Sequence, residues 1–529
     1  MSQARLKSIT IENMKSFRDK TRIPFAPLTI VVGRNNSGKS TLIQSLLLLK
    51  QTLSDPRSYL PLKLDGVVEA FHLRELTHGW PEAGDAVTGP TIALEWESRV
   101  DVEAALNKAR NPDRVHLATY SGVPWLENLP DTLFTTSELR IHTLDANGTA
   151  LLAGLEIEIR ERRHRDPLLL RILPDGDAWY CEWLGQQSSR IQVELDHFIP
   201  YLRIDRSRVG PRLAERAWHN AYLIIFEQPL EHLKQIIKYL FYLGSHRSAP
   251  QGMYRPATTD PMEIGISGEF AAQMLHRKQS EIVHFLLPDR IASQDGWSVS
   301  GRPMGEAINA IMRALAIDAP LQVKEVMGMG FQLMFGNANL VHVGRGLGYL
   351  LPVIVLGLFA DPLRFVNKLS NVSLRHYNRQ CETISHILME EPEAHLHPKA
   401  ASRLADYFVS LAMANRQLLI ETHSDHLVRR LRGLAARAPS GSPLEKWLLK
   451  NVVVLSVSQD EQGCSCVEES RLTADGWLGD HWPAEFMDEA SDAEDEIYNA
   501  KLDKVGGFIG AGPGVTMVEG EEPEEEAVP

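Results

Sequence analysis

Cysteine is scarce in this chain, with four residues in 529 (Cys181, Cys381, Cys464 and Cys466). So few cannot staple a chain of this length, which excludes a disulfide framework and fits a reducing, cytoplasmic setting. Cys464 and Cys466 are separated by one residue, where zinc-binding pairs usually leave at least two. Long apolar runs are also missing. The longest, "YLLPVIVLGLFA", covers residues 349–360 and contains Pro352, whereas a bilayer-spanning helix needs about 20 apolar residues. The opening "MSQARLKSITIENMKSF" has neither the apolar segment nor the small-residue cleavage site of a secretory signal. A soluble protein with no membrane partner is expected. No internal repeat is visible, and no heptad run is long enough for a coiled-coil arm.

Charge is present but unevenly placed. The chain has 55 basic and 68 acidic residues, a net charge of −13. Residues 480–529 hold 15 of those acids and only two lysines, so residues 1–479 are neutral with 53 charges of each sign. Either the last segment is simply a solvated acidic tail, or it is a polyanion that competes with nucleic acid for a basic surface. The overall balance therefore argues neither for nor against a DNA partner.

Hydrophobic residues make up 44% of the chain, enough for a sizeable core. In the first part "LKSITIEN" alternates, "LTIVVG" reads as a short buried strand, and "STLIQSLLLLKQTL" suits a helix. Residues 61–210 read as a β-rich insertion, with "TIALEWE", "ELRIHTL", "ALLAGLEIEIRE", "LLLRIL", "AWYCEWL" and "RIQVEL" separated by turn formers. Helical periodicity over about 212–242 and 266–316 suggests a helical lobe at 211–320. Strand–helix alternation returns in 321–479: "SHILMEE", a helix from about Lys399 to Ala414, "QLLIETH", a helix from Asp425, and a final hairpin "NVVVLSVSQDEQGCSCVEESRL". The expected domains are thus an α/β unit split between 1–60 and 321–479, two inserted lobes, and the tail 480–529.

The strongest chemical signal is "GRNNSGKS", Gly33 to Ser40, between a strand and a helix. Glycines at the two ends of such a loop let backbone N–H groups close around phosphates, and the helix start adds a favourable dipole. Gly33, Arg34, Asn35, Asn36, Ser37, Gly38, Lys39, Ser40 and Thr41 are the expected nucleotide contacts. Lys39 would reach the terminal phosphates and Ser40 would hold Mg²⁺.

Such a site needs a second, acidic element. "ILMEEPEAHLHP" offers one, because an apolar strand ends at Glu390 and Glu391 before Pro392 breaks it. Glu390 would hold Mg²⁺, and Glu391 would orient and deprotonate the attacking water. Two rivals stand beside this reading: a transition-metal site built on Glu393, His395 and His397, and an inert surface turn. Further on, "LLIETHSDHL" places His423 at another strand end, within reach of a phosphate or the attacking water.

Taken together, "ITIENMKSFRD", "VVGRNNSGKSTLIQSLLLL", "VGRGLGYLLPVIV", "ILMEEPEAHLHP" and "LLIETHSDHLVRRL" resemble the ABC/SMC-type P-loop ATPases, in particular the bacterial OLD/Septu-like AAA family ATPases. The resemblance implies an α/β head with a mixed sheet, ATP and Mg²⁺ as cofactors, and Glu390, Glu391 and His423 as magnesium-binding, catalytic and switch residues. It also implies that Gly344, Gly346 and Gly348 of the signature segment cap the nucleotide of an opposite copy. A head-to-tail homodimer or higher oligomer would follow, acting as the sensor of an anti-phage system with a separate effector such as a nuclease. A DNA-bound repair or chromosome-associated ATPase, or a nucleotide-gated scaffold with little turnover, is the alternative. Two departures bear on turnover: Gly348 stands where a serine is usual, and no Q-loop glutamine is evident. "MVEGEEPE" at Met517 to Glu524 mimics the start of a TOPRIM nuclease domain, but no later metal-binding strand follows it, so no intrinsic nuclease is expected.

Overall fold

Residues with no polar face must be covered on both sides, and four segments of this kind build the centre of the molecule. A computed structural model describes residues 4–57, 60–82, 86–164, 166–176, 178–188, 191–204, 213–259, 263–292, 296–364, 371–381 and 383–479. They belong to one compact unit, Met1–Trp482. The acidic segment and its TOPRIM-like stretch lie outside the described residues.

The chain begins with β1 (Arg5–Glu12) and β2 (Thr21–Pro24), then passes through the fully buried β3 (Leu28–Val32) into helix α1 (Lys39–Leu53). Next come β4 (Val87–Asp101), α2 (Val102–Lys108), α3 (Arg114–Ser121), β5 (Thr132–Ala146) and β6 (Thr149–Glu161). After these follow β7 (Leu168–Asp175), β8 (Ala178–Trp183), β9 (Gln186–Ser188) and the hairpin β10 (Ile191–Asp196) and β11 (Ile199–Ile204). The β-rich stretch is not a module hung beside the N-terminal strands. β4 pairs along β1 from Arg5↔Glu97 to Glu12↔Thr91, and the sheet runs β2-β1-β4-β5-β6-β7-β8-β9, antiparallel throughout. Its even-numbered β4 residues Ile92, Leu94 and Trp96 are buried. They face α4 (Leu213–Ile225) and α5 (Glu227–Lys238), and the Trp96 indole donates to the Pro229 carbonyl at 3.0 Å. Glu97 and Arg99 point the other way, into solvent, as expected for an antiparallel sheet with one wet face.

β12 (Phe241–Leu243) returns the chain to the centre. Beyond it the expected helical run over 266–316 is interrupted. Between α6 (Ala271–Lys278) and α7 (Met304–Ala314) lie two strands, β13 (Ile282–Leu286) and β14 (Ser298–Pro303). "IVHFL" is a short apolar run whose periodicity suits either element, and the breakers that follow, "PDRIASQDG", decide for a strand. β15 (Leu321–Val326), β16 (Gly330–Phe335) and β17 (Ala338–Asn339) form a small meander before α8 (Arg345–Phe359). This helix holds most of the apolar run that starts at residue 349 but begins four residues before it, so Gly346 and Gly348 lie inside its first turn.

The last part alternates as expected. β18 (Asn371–Ser373), α9 (Leu374–Gln380), β19 (Ser385–Glu390), α10 (Pro398–Met413), β20 (Arg416–Glu421), α11 (Asp425–Arg437), α12 (Pro443–Asn451) and the hairpin β21 (Val452–Gln459) and β22 (Ser465–Arg471) follow in turn. The central sheet has the order β12-β19-β20-β3-β21-β22, parallel except for β22. The fold is thus an α/β head with a mixed sheet. β20 lies between the phosphate-loop strand β3 and the acidic strand β19, and its register sets Glu390, Glu421 and Val31 abreast in one row at the C-terminal edge. That edge is where ligands bind in open parallel sheets.

At the opposite end of β20 a buried polar cluster ties four elements together. Asp361 accepts from the backbone N–H (2.9 Å) and Nδ1 (2.7 Å) of His284 and from the Tyr377 hydroxyl (2.7 Å). The Arg416 guanidinium lies 3.6 Å from Asp361 and donates to the His284 and Ala414 carbonyls at 2.7 and 2.9 Å.

Candidate functional site

The phosphate loop leaves β3 at Gly33, whose φ of 144° favours glycine. A Cβ there would lie 2.2 Å from the Val457 carbonyl oxygen. At Gly38 (φ 104°) a Cβ would lie 2.4 Å from Ser465 Oγ. Asn36, between them, takes a left-handed φ of 64°. The loop is held from outside: Ser465 Oγ donates to the Ser37 carbonyl at 2.6 Å and shares a 2.6 Å hydroxyl–hydroxyl hydrogen bond with Ser16 Oγ, and Ser465 N donates to the Ser16 carbonyl at 2.8 Å. Gly38 caps α1 with no side-chain acceptor, so the N–H groups of Lys39 and Ser40 at the start of that 15-residue helix remain available for an anion, while Thr41 N donates to the Gly38 carbonyl at 3.0 Å. Lys39 Nζ donates to the carbonyls of Gly33 (2.8 Å) and Arg34 (2.6 Å), with its pKa held below the usual lysine range by burial. Thr41 is buried behind the loop, and Arg34, Asn35 and Asn36 form its exposed rim.

The acidic groups approach the same loop, but not with the expected division of labour. The Glu390 carboxylate accepts from the Tyr242 hydroxyl at 3.0 Å and from Ser245 N at 3.2 Å, so it is turned towards β12. The Ser40 hydroxyl instead donates to Glu421 Oε1 at 3.1 Å. Glu421 is buried (4% exposed), and its second oxygen has no partner. Burial first, and then the neighbouring Glu390, push its carboxyl up to about 7, with Lys39 opposing. The sequence contained the signal for this residue, since "LLIE" ends in a carboxylate just as "ILME" does. The pairing of β20 with β3 was needed to see its place.

Glu391 has φ 46°, an unusual conformation for a non-glycine residue, and its N–H donates to the Glu421 carbonyl at 2.8 Å. Its carboxylate lies 3.9 Å from His423 Nε2, and both side chains are about two-fifths exposed. The His423 pKa is lowered by burial and then by Lys39, so the ring favours its neutral form. Glu393 fixes the strand end behind it, accepting from Thr422 Oγ1 at 2.6 Å and His423 N at 3.3 Å.

That bond also overturns the transition-metal alternative, because Glu393 faces Thr422 rather than the two imidazoles. The His395 ring packs edge-on against Tyr349 at 5.1 Å. His397 caps α10, its Nδ1 accepting from Lys399 N at 3.3 Å. Among the described residues, no group of three or more His, Cys, Asp or Glu side chains could cage a metal ion. Mg²⁺ in a nucleotide site draws mainly on phosphate and water oxygens and needs no such cage. The residues present fit it: the Ser40 hydroxyl, the partnerless Glu421 oxygen and the open helix start would hold Mg²⁺ and a triphosphate.

The glycines of the 344–348 segment pack against the 391–397 turn and the 250 region. A Cβ on Gly346 would lie 2.4 Å from the His395 carbonyl oxygen, and one on Gly348 would lie 2.2 Å from the Pro250 ring. Gly344, at the helix cap, has nothing within 4 Å of its Cβ position. A serine at 348 would therefore meet the Pro250 ring.

The family model of the AAA ATPase domain matches residues 5–96 and 371–428, which include the phosphate loop, both strand-end carboxylates and His423. No curated protein matches the chain. Solved structures similar to it include an Smc head bound to the C-terminal winged-helix domain of ScpA (13% identity, 88% of this chain and 98% of that one, TM-score 0.34). The SMC head domain from Thermotoga maritima is another (11% identity, 88% and 100%, TM-score 0.32). A third is an Smc head with an extended coiled coil bound to the C-terminal domain of ScpA, from Pyrococcus furiosus (12% identity, 94% and 100%, TM-score 0.34). Among the described residues, no helix is long and apolar enough to cross a membrane.

Proposed function

We propose that this chain binds ATP with Mg²⁺ and hydrolyses it to ADP and phosphate, using the state of the nucleotide as a switch. One observation supports this above the others: Lys39 and Ser40 of the loop meet the carboxylates of residues 391 and 421 at one edge of the sheet. Ser40 and Glu421 would hold Mg²⁺, which would neutralise phosphate charge. Lys39, released from the Gly33 and Arg34 carbonyls, binds the terminal phosphates. Glu391 orients a water molecule and takes its proton, while neutral His423 donates a hydrogen bond beside it. Glu393 and Thr422 hold the backbone that carries it.

Gly344, at the start of α8, is exposed with nothing within 4 Å of its Cβ position, which suits contact with the nucleotide of a second copy. A two-fold head-to-tail dimer is the closed arrangement of such a contact. With Gly348 buried against Pro250 and carrying no hydroxyl, that contact falls to the backbone at Gly344, which favours slow turnover and long-lived closed heads. The setting we infer, from motif resemblance, is a cytoplasmic OLD/Septu-like defence module, with this chain sensing or regulating and a separate nuclease acting.

Phosphate release and light scattering test the reading. Glu391→Gln should abolish turnover while ATP converts the protein to a stable dimer, and Lys39→Ala should abolish both. Unchanged turnover in Glu391→Gln removes that residue from the chemistry.

A further inference from the structure

The wet face of the eight-stranded sheet carries a second site, away from the phosphate loop. A cleft of about 1110 Å³ opens there between β4–β6 and the end of α9. That is larger than most small-molecule pockets. Its floor follows from register. Arg99 on β4 is paired directly with Phe134 on β5, and Arg162, just past β6, donates its backbone N–H to the Phe134 carbonyl at 3.0 Å. Residues opposite one another on neighbouring strands hold their side chains within about 5 Å. An exposed aromatic ring is thus flanked by two exposed guanidinium groups, and Phe134 is 49% exposed. Arg379, also exposed, faces them from α9.

The cleft also holds glutamates, but each is already engaged. Glu95 accepts from Ser8 (2.7 Å) and Arg22 (2.6 Å). Glu97 lies 3.2 Å from Lys7. Buried Glu161 accepts from Arg163 N at 2.6 Å and lies 3.8 Å from His164. Among the described residues, Arg162 and Arg379 have no carboxylate partner, and Arg99 makes only a long 3.5 Å contact with the Thr132 hydroxyl. The cleft therefore presents three guanidinium groups without a carboxylate partner around an open aromatic face.

We propose that this cleft binds single-stranded nucleic acid, with phosphates on Arg99, Arg162 and Arg379 and a base stacked on Phe134. An acidic peptide would use the arginines but not the ring, and a duplex keeps its bases stacked away from it. Aromatic faces between basic side chains are the usual platform for single strands. The cleft's chemistry does not depend on the nucleotide site.

The test is fluorescence anisotropy of a labelled oligothymidylate of about twenty nucleotides with the full chain. An oligouridylate distinguishes DNA from RNA. Three phosphate contacts predict an affinity loss of about 20-fold between roughly 50 and 200 mM salt. Replacing Arg99, Arg162 and Arg379 together by alanine should weaken binding at least tenfold and flatten that dependence. Phe134→Ala should cost about tenfold and leave the salt slope intact. All four residues are exposed, so unchanged thermal melting is expected, and Arg162→Gln alone provides a milder check. No saturable binding at low salt, full affinity in the triple variant, or equally tight binding of polyglutamate would overturn the proposal.

Discussion

Glu421→Gln keeps the shape of a buried side chain and removes its charge, and the structure predicts opposite effects on stability and function. The carboxyl of Glu421 is raised from an ordinary 4.5 to about 7 by burial and by Glu390. Between those values the folded protein holds a proton that the unfolded chain has released. The stabilising contribution is complete below about 4.5 and lost once the pH has passed about 7. Each unit is worth 1.36 kcal/mol, so ionising this group in the folded protein costs on the order of 3 kcal/mol at pH 8. Glutamine does not titrate and can still accept the Ser40 hydroxyl. The nucleotide-free variant should therefore be more stable than wild type by about 2–3 kcal/mol at pH 8, and by less than about 1 kcal/mol at pH 5. Urea unfolding at the two pH values measures this directly. With Mg²⁺ and ATP the order should reverse: wild type gains stability from the ligand, and the variant gains little and turns over poorly. A variant that is less stable at pH 8, or whose advantage does not change with pH, would show that Glu421 is ionised without strain and not held in readiness for a cation.

Three further outcomes follow from other sites. Gly348→Ser restores the usual signature serine, yet its Cβ would meet the Pro250 ring at 2.2 Å. It should lower stability by about 1–3 kcal/mol without raising phosphate release, and Pro250→Gly in the same chain should recover the loss. Asp361→Ala leaves Arg416 and its neighbours without their buried acceptor, and urea unfolding should show a loss of about 3–5 kcal/mol. His386 is 4% exposed and its pKa is lowered from 6.5 to about 3, mainly by burial. Its stabilising contribution is therefore complete above about 6.5 and is lost as the pH falls, costing about 2 kcal/mol at pH 5. His386→Leu should flatten the stability profile across that window.

Much of the head was legible because its signals are local. The Gly33–Ser40 loop, the strand ends at Glu390 and His423, the helices at 398–413 and 425–437, and the closing hairpin each declare themselves within a dozen residues. What stayed hidden depends on pairings between distant segments. Nothing near Glu421 reveals that β20 is inserted between β3 and β19, which brings its carboxylate to Ser40 and leaves Glu390 facing Tyr242. Nothing in "TIALEWE" shows that it extends β1 instead of starting a separate lobe. Gly348 looked like a missing serine until Pro250, about a hundred residues earlier, proved to fill its space.

The brace on the phosphate loop has a consequence for biosynthesis. Ser16 and Ser465 grip the loop from opposite ends of the chain, and Val457 closes over Gly33. A ribosome that has made only the first few hundred residues exposes the motif without its clamp. Contacts of such long range form late. Nascent chains should therefore lack a braced phosphate loop until the residues around Ser465 have been made.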